Sequence, residues 1–380
     1  MKSADKKRLK LFIIADNLRI GGIQRIVLDE AYQFESMGIS PKIIILSKPM
    51  LADNILRVDH LFNENSKLDI TFLRPNKLFH LIFFCKLHYF TKSSGMFICH
   101  STSAAFLLKI SSLLMFKKSL VLLFIHQLLS LSDTRQKHKR IFYSMFADKI
   151  LFSSKQFLRE WNHIIRSSHF FKIYKRRPQE FIRMGVYLPR LMSSNKLPKL
   201  IEFDEKPSLI FLSRTTKWKG LDRYINICNN VEFQDLKYLL FLVGNEEKTF
   251  LELFNHPKSV LTVNELGINS ITVHKNSIHL YPSYYGVNVM YPQSIGMNVL
   301  EMISLGIVSL ISKDDLSTWP EFKNSNLVRI VDWDNFSEVI QEIKSCLNLD
   351  SRVRLEEIKR LLNVVSIESH CKRLIEYSNG

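Results

Sequence analysis

Short, almost wholly apolar runs punctuate the chain, separated by longer stretches of mixed pattern. In the first half these runs are LKLFIIAD (9–16), PKIIILS (41–47), LDITFL (68–73), GMFICHS (95–101), LVLLFIH (120–126) and DKILFS (148–153). Runs of this length without polar alternation predict strands buried on both faces, as in a parallel sheet. Between the first two, IQRIVLDEAYQFESMG sets Ile23, Ile26, Val27, Ala31 and Phe34 at helical spacing and stops at Gly38. Strand, Gly-Gly loop, helix and strand in that order predict a βαβ crossover. A further helix is predicted from Lys155, and FIRMGV (181–186) ends the first half.

The stretch 187–207 holds three prolines and little periodicity, which marks an inter-domain connection. The pattern then resumes. SLIFLSR (208–214), YLLFLVG (238–244), SIHLYP (277–282), IVSLIS (307–312) and LVRIVD (327–332) read as strands. LDRYINICNNV and NFSEVIQEIKSCL read as helices, and Arg352 to Tyr377 as an amphipathic helical end. The predicted organisation is an N-terminal domain over 1–190, a linker over 191–207 and a second domain over 208–360. A C-terminal helix over 361–380 is expected to pack back on the first domain. Two doubly wound α/β halves predict a ligand cleft between them, outside the carboxyl ends of the strands.

The candidate chemistry sits at strand ends. YPQSIGMNVLEMISLG (291–306) sets Gly296 before a helix carrying Glu301. A helix start offers N–H groups and a positive dipole end to an anion. Glu301 could accept hydrogen bonds from a vicinal diol such as a ribose. Together they suggest a nucleotide, although an ordinary βαβ unit with a surface glutamate has the same pattern. Arg214 and Lys219, in R-x4-K-G after a strand, offer a guanidinium fork and a point charge to phosphate; two solvated loop cations are the plainer reading. Gly21 and Gly22 permit close backbone approach to a ligand, short of a full dinucleotide fingerprint. His126 and His100 each end a strand and are candidate polar contacts to substrate. Asp332-Trp333-Asp334 resembles a metal-binding D-x-D, but its place before NFSEVI suggests that Asp334 caps the helix. No P-loop, nucleophilic triad or clustered metal ligands are evident, so neither a metal nor a cofactor is expected.

Charge changes the picture of the first half. Residues 1–190 hold 32 Lys and Arg against 13 Asp and Glu, and the rest 21 against 23, so the net +17 lies wholly in the first half. Basic residues interleave with aromatic ones in HLIFFCKLHYF (80–90) and HFFKIYKRR (169–177). That suits an anionic membrane surface, and would also suit nucleic acid or a merely basic soluble surface. The membrane is the expected partner, and nucleic acid is not expected. Five scattered cysteines without a C-x-x-C pair fit a reducing cytosol. The N-terminus lacks a signal-peptide core, and the longest uncharged apolar run, 119–132, is too short to span a bilayer. The expected location is cytoplasmic, at the inner face of a membrane.

Taken in order, strand–SR-x4-KG-LD–helix, strand–VG-N and YPQSIGMNVLEMISLGIVSLIS resemble the second domain of retaining GT-B glycosyltransferases, more narrowly the group-1 (family 4) bacterial sugar transferases. IADNLRIGGIQRIVLDEAYQFESMGI, FIHQ, ADKILFSSKQFLREW and RMGVY resemble that family's first domain. The resemblance implies the GT-B fold: α/β, with two Rossmann-like doubly wound domains facing an interdomain cleft. It implies metal-independent transfer, with retention, from a UDP- or GDP-sugar to a lipid-linked or saccharide acceptor in surface-polysaccharide assembly (O-antigen, capsule or lipopolysaccharide core). It implies that Arg214 and Lys219 hold the diphosphate, with backbone groups at Gly296, Met297, Asn298 and Val299. Glu301 would hold the ribose, and the loop at Gly244 and Asn245 would lie near the base. Gly21 and Gly22 would approach the donor phosphate, and His126 would contact the transferred sugar. The family pairs two glutamates as E-x7-E; here the first is Gln293, which offers no negative charge to an oxocarbenium-like centre. A catalytically impaired paralogue that binds membrane or partner enzymes is the alternative.

Overall fold

The computed structural model describes residues 10–18, 22–47, 68–74, 76–90, 95–126, 134–166, 178–188, 206–213, 219–241, 253–255, 260–262, 276–283, 295–313 and 319–379. The chain folds as two compact units. The first comprises Met1–Asp59, Asn63–Tyr187 and Ile367–Gly380; the second, His60–Phe62 and Leu188–Ser366.

The first unit is built on a seven-stranded parallel sheet. Its strands are β1 (Lys10–Ala15), β2 (Lys42–Ile45), β3 (Asp69–Phe72), β4 (Gly95–Cys99), β5 (Leu120–Ile125), β6 (Lys149–Phe152) and β7 (Gln179–Phe181), in the order β3-β2-β1-β4-β5-β6-β7. Its helices are α1 (Gly22–Ser36), α2 (Lys77–Phe90), α3 (Thr102–Leu114), α4 (Thr134–Ser144) and α5 (Lys155–Arg166). The central strands are buried, β4 throughout and β5 from Val121 on, which is why both read as unbroken apolar runs, while the edge strands β3 and β7 are only partly covered. One continuous core joins Phe12, Phe97 and Phe84 to Phe152 and Trp161. Burying each such ring contributes roughly 2–3 kcal/mol before entropy is counted.

The second unit repeats the plan with six parallel strands. These are β8 (Ser208–Leu212), β9 (Lys237–Phe241), β10 (Val260–Thr262), β11 (Ile278–Leu280), β12 (Val308–Ile311) and β13 (Val328–Ile330), in the order β10-β9-β8-β11-β12-β13. Its helices are α6 (Leu221–Cys228), α7 (Met297–Ser304), α8 (Phe336–Leu347) and α9 (Ser351–Val365). Counted from each unit's first strand, both sheets run 3-2-1-4-5-6, the doubly wound order in which strand direction of travel reverses between the first and fourth strands. That reversal falls between β1 and β4 in the first unit, and between β8 and β11 in the second.

Several local expectations are corrected. The last strand of the first unit, Gln179–Phe181, is one that the apolar runs do not announce. Asn335, not Asp334, caps α8: its side chain accepts from Glu338 N at 3.3 Å, while Asp334 pairs with Arg223. The helical end comprises two helices. α9 stops where Ser366 turns extended, and Ile367 N donates to Val186 O at 3.1 Å. A last helix, α10 (Glu368–Asn379), then packs beside α1 in the first unit.

Candidate functional site

In the second unit, three chain segments converge at the carboxyl ends of β8 and β11. The first follows β8 and delivers Lys219 and Gly220. The second leaves β11 as Tyr281 and Pro282. The third is Gly296 and the start of α7. Lys219 Nζ donates to Tyr281 Oη at 3.2 Å and lies 5.1 Å from the centre of that ring. Asn298 Nδ2 donates to Leu212 O at 2.6 Å, which ties the first turn of α7 to the end of β8.

Two glycines make this convergence possible. Gly220 caps α6 at φ +75°, and a Cβ there would stand 2.0 Å from Pro282 O, an impossible approach to backbone. Gly296 precedes α7, and a Cβ there would meet Asn298 Oδ1 at 2.3 Å and Tyr281 Oη at 3.1 Å. Gly296 also has no side chain with which to cap the helix. In the first turn Val299 N and Leu300 N donate to Gly296 O at 3.0 and 3.4 Å, and the amides of Met297 and Asn298 have no intrahelical acceptor. Met297 and Asn298 therefore present their N–H groups at the positive end of α7, with Lys219 held to Tyr281 at its mouth. The arrangement is suited to an anion. Glu301, one turn on, is only 3 % exposed.

In the first unit, Gly22 opens α1, while Gly21 lies outside the described residues, as do Arg214, Gly244, Asn245 and Gln293. His126 follows β5 and His100 follows β4. Nδ1 of His100 and Nε2 of His126 are 2.8 Å apart. The other nitrogen of His100 lies 2.9 Å from Glu30 Oε2, and Glu30 Oε1 lies 2.8 Å from Nε2 of His370 on α10. Phe124 stacks against all three imidazoles, with ring centres 5.3–5.7 Å away. Burial alone would raise the Glu30 carboxyl, but its two imidazole partners, protonated at the acid pH where it titrates and hydrogen-bonded to it, His100 foremost and then His370, bring it down to about 2. Burial first, and the neighbouring His100 second, hold His126 well below the ordinary imidazole range. Among the described residues no cluster of His, Cys, Asp and Glu is arranged to hold a metal ion.

Glu30 and His370 were not legible as site residues. Helical spacing assigns Glu30 to the polar face of α1, yet Asp29, Glu30 and Gln33 are all buried. The cover comes from α10, 340 residues away in sequence. A carboxylate beside the apolar stripe was the available signal, and it identifies no partner.

No protein-family model matches the chain, and no curated protein matches it in sequence. Solved structures do match in shape. A lipopolysaccharide outer core galactosyltransferase, WaaB, superposes with a TM-score of 0.60 at 14% identity, over 97% of this chain and 99% of that one. A glycosyltransferase from Rickettsia africae gives 0.66 at 16% identity, over 98% of each chain. HepE of Anabaena in complex with UDP-glucose gives 0.66 at 11% identity, over 98% of this chain and 99% of that one. The chain has the GT-B fold. Within it, the anion-suited cluster lies where the strand order of the second Rossmann-like unit reverses, and the histidine chain lies at the same place in the first.

Proposed function

We propose that this GT-B protein transfers a sugar from a nucleotide-sugar donor to a saccharide or lipid-linked acceptor. One observation carries the reading: Lys219, the Tyr281 hydroxyl and the uncapped start of α7 meet at the β8/β11 reversal of a GT-B chain. In this reading the second unit holds the donor. Lys219, with Arg214, and the amides of Met297 and Asn298 take the diphosphate and stabilise it as it leaves, without a metal. Glu301 takes the ribose hydroxyls, and Gly244 and Asn245 border the base. The first unit handles the acceptor and supplies His126 to the transferred sugar. HepE was solved with UDP-glucose and WaaB is a lipopolysaccharide outer core galactosyltransferase, which supports a UDP-hexose donor and a surface-polysaccharide product; transfer with retention belongs to the same proposal.

The membrane part of the proposal rests on the first unit's surface. α2, α3 and α4 lie side by side and contain no Asp or Glu. They and the turn after α3 expose Leu78, Phe79, Ile82, Tyr89, Leu114 and Phe116, flanked by exposed Lys77, Lys86, Lys117 and Lys118. Apolar side chains ringed by cations suit an anionic leaflet. No helix among the described residues is long and apolar enough to cross a membrane.

The test is turnover with a panel of UDP- and GDP-sugars and lipid-linked acceptors. Transfer that disappears in Lys219→Ala supports the reading; no turnover and no donor-dependent thermal shift sink it. Gln293 motivates one alternative, a GT-B protein that binds nucleotide-sugar without transferring it. Donor binding with no transfer to any acceptor would favour that alternative.

A further inference from the structure

The hydrogen-bond chain through Glu30 has a proton inventory that the geometry fixes. Nδ1 of His370 faces the carbonyl oxygen of Arg183 at 2.9 Å, and its Nε2 faces Glu30 Oε1 at 2.8 Å. Both oxygens accept, so both ring nitrogens of His370 donate, and the ring is an imidazolium. Its charge balances the single negative charge of Glu30. A second buried cation at His100 would then stand without a counter-ion, against Phe124 and 5.1 Å from the His126 ring. His100 is therefore neutral, with its one proton on Nε2, given to Glu30 Oε2. Its Nδ1 is an acceptor, and the bond to His126 is donated by Nε2–H of His126. What remains on His126 is Nδ1 with a lone pair.

We propose that Glu30 and His370 are positioning residues, which act through His100 to hold His126 as the Nε2–H tautomer with Nδ1 as a hydrogen-bond acceptor. The ligand class that fits an accepting Nδ1 is a hydroxyl. Under the glycosyl-transfer reading, on which this last step rests, it is a hydroxyl of the transferred sugar or its acceptor. His126 is half-buried at the end of β5. Its only hydrogen bond among the described residues is the one to His100. The depressed basicity of His126 agrees with a ring that stays neutral through the physiological range. The device also gives α10 a task. The helix that crosses back to the first unit brings the counter-charge that decides which way a strand-end histidine hydrogen-bonds.

The test is two-bond 1H–15N correlation on the full chain labelled at its twelve histidines, with resonances assigned by single His→Gln variants at neutral pH. The wild type should show His370 protonated on both nitrogens, and His100 and His126 as Nε2–H tautomers. In His370→Gln the amide still donates to Glu30 but brings no charge. The second proton should then appear on His100, and the His126 proton should move from Nε2 to Nδ1. His370→Lys returns the cation and should return His126 to Nε2–H. A wild-type His126 protonated on Nδ1, or a tautomer indifferent to His370→Gln, overturns the proposal. The spectra need no donor or acceptor. If they show the expected pattern in a protein that transfers no sugar, the relay stands and only the hydroxyl assignment falls.

Discussion

The two units share a strand order but use its reversal point in opposite ways. In the second unit the segments after β8 and β11 carry glycines, a lysine and a tyrosine hydroxyl, and leave the first-turn amides of α7 facing outward. In the first unit the ends of β4 and β5 carry histidines whose hydrogen bonds turn inward to a buried carboxylate. The topology decides where a ligand can sit, and the side chains decide what kind. One reversal point is suited to an anion. The other, on the proposal above, fixes the protons of a single imidazole.

The largest expected effect breaks the inward-facing half. Glu30→Ala removes the shared acceptor and leaves the buried His370 cation unpaired. It should cost about 3–5 kcal/mol in urea unfolding, most of it in the first unit. Gly220→Ala breaks the outward-facing half. Its Cβ meets Pro282 O and its φ stays positive, so a loss on the order of 3 kcal/mol and a displaced Lys219 are expected. Unfolding curves and nucleotide binding measured on each variant separate the two regions.

Acid should separate them further. His279, buried in the second unit, is held by burial at about 3 against an ordinary 6.5, and His126 is lowered as well. A histidine kept neutral in the fold takes up its proton only on unfolding, so stability falls as pH drops below 6.5. Glu30 is lowered from 4.5 to about 2, so its contribution is complete above 4.5 and is lost between 4.5 and 2. Stability measured by urea unfolding from pH 7 to 3 should therefore decline from 6.5 and steepen below 4.5. Glu30→Gln should reduce the steeper part, which Glu180 and Glu357 share because their carboxyls are lowered as well, and leave the decline attributed to His279 and His126. The smallest expected effect is that of Gly296→Ala. Its nearest clash is with the movable Asn298 side chain, so about 1 kcal/mol should be lost as the bond to Leu212 O breaks.

The fold was largely legible because parallel strands buried on both faces announce themselves as short Ile- and Leu-rich runs. The helices were less so. α2 is apolar on nearly every side, and α4 begins TRQKHKR, so neither shows a clean stripe at helical spacing. At the outward-facing point, Lys219 and Gly296 could be read because the relevant groups lie next to strands along the chain. Tyr281 could not, because its role comes from Lys219, 62 residues away. At the inward-facing point His126 and His100 could be read as strand ends. Glu30 and His370 could not, since nothing local marks a carboxylate on α1 that waits for a helix from the other end of the chain.

The central claim is that the β8/β11 reversal binds the diphosphate of a nucleotide-sugar. Calorimetric titration of UDP, GDP and their sugars into the wild type and Lys219→Ala tests it most directly. The account predicts binding of at least one of them, weakened roughly tenfold to a hundredfold by Lys219→Ala, as for loss of a hydrogen bond to a charged group. Unchanged affinity in Lys219→Ala, or no binding by the wild type, would contradict it.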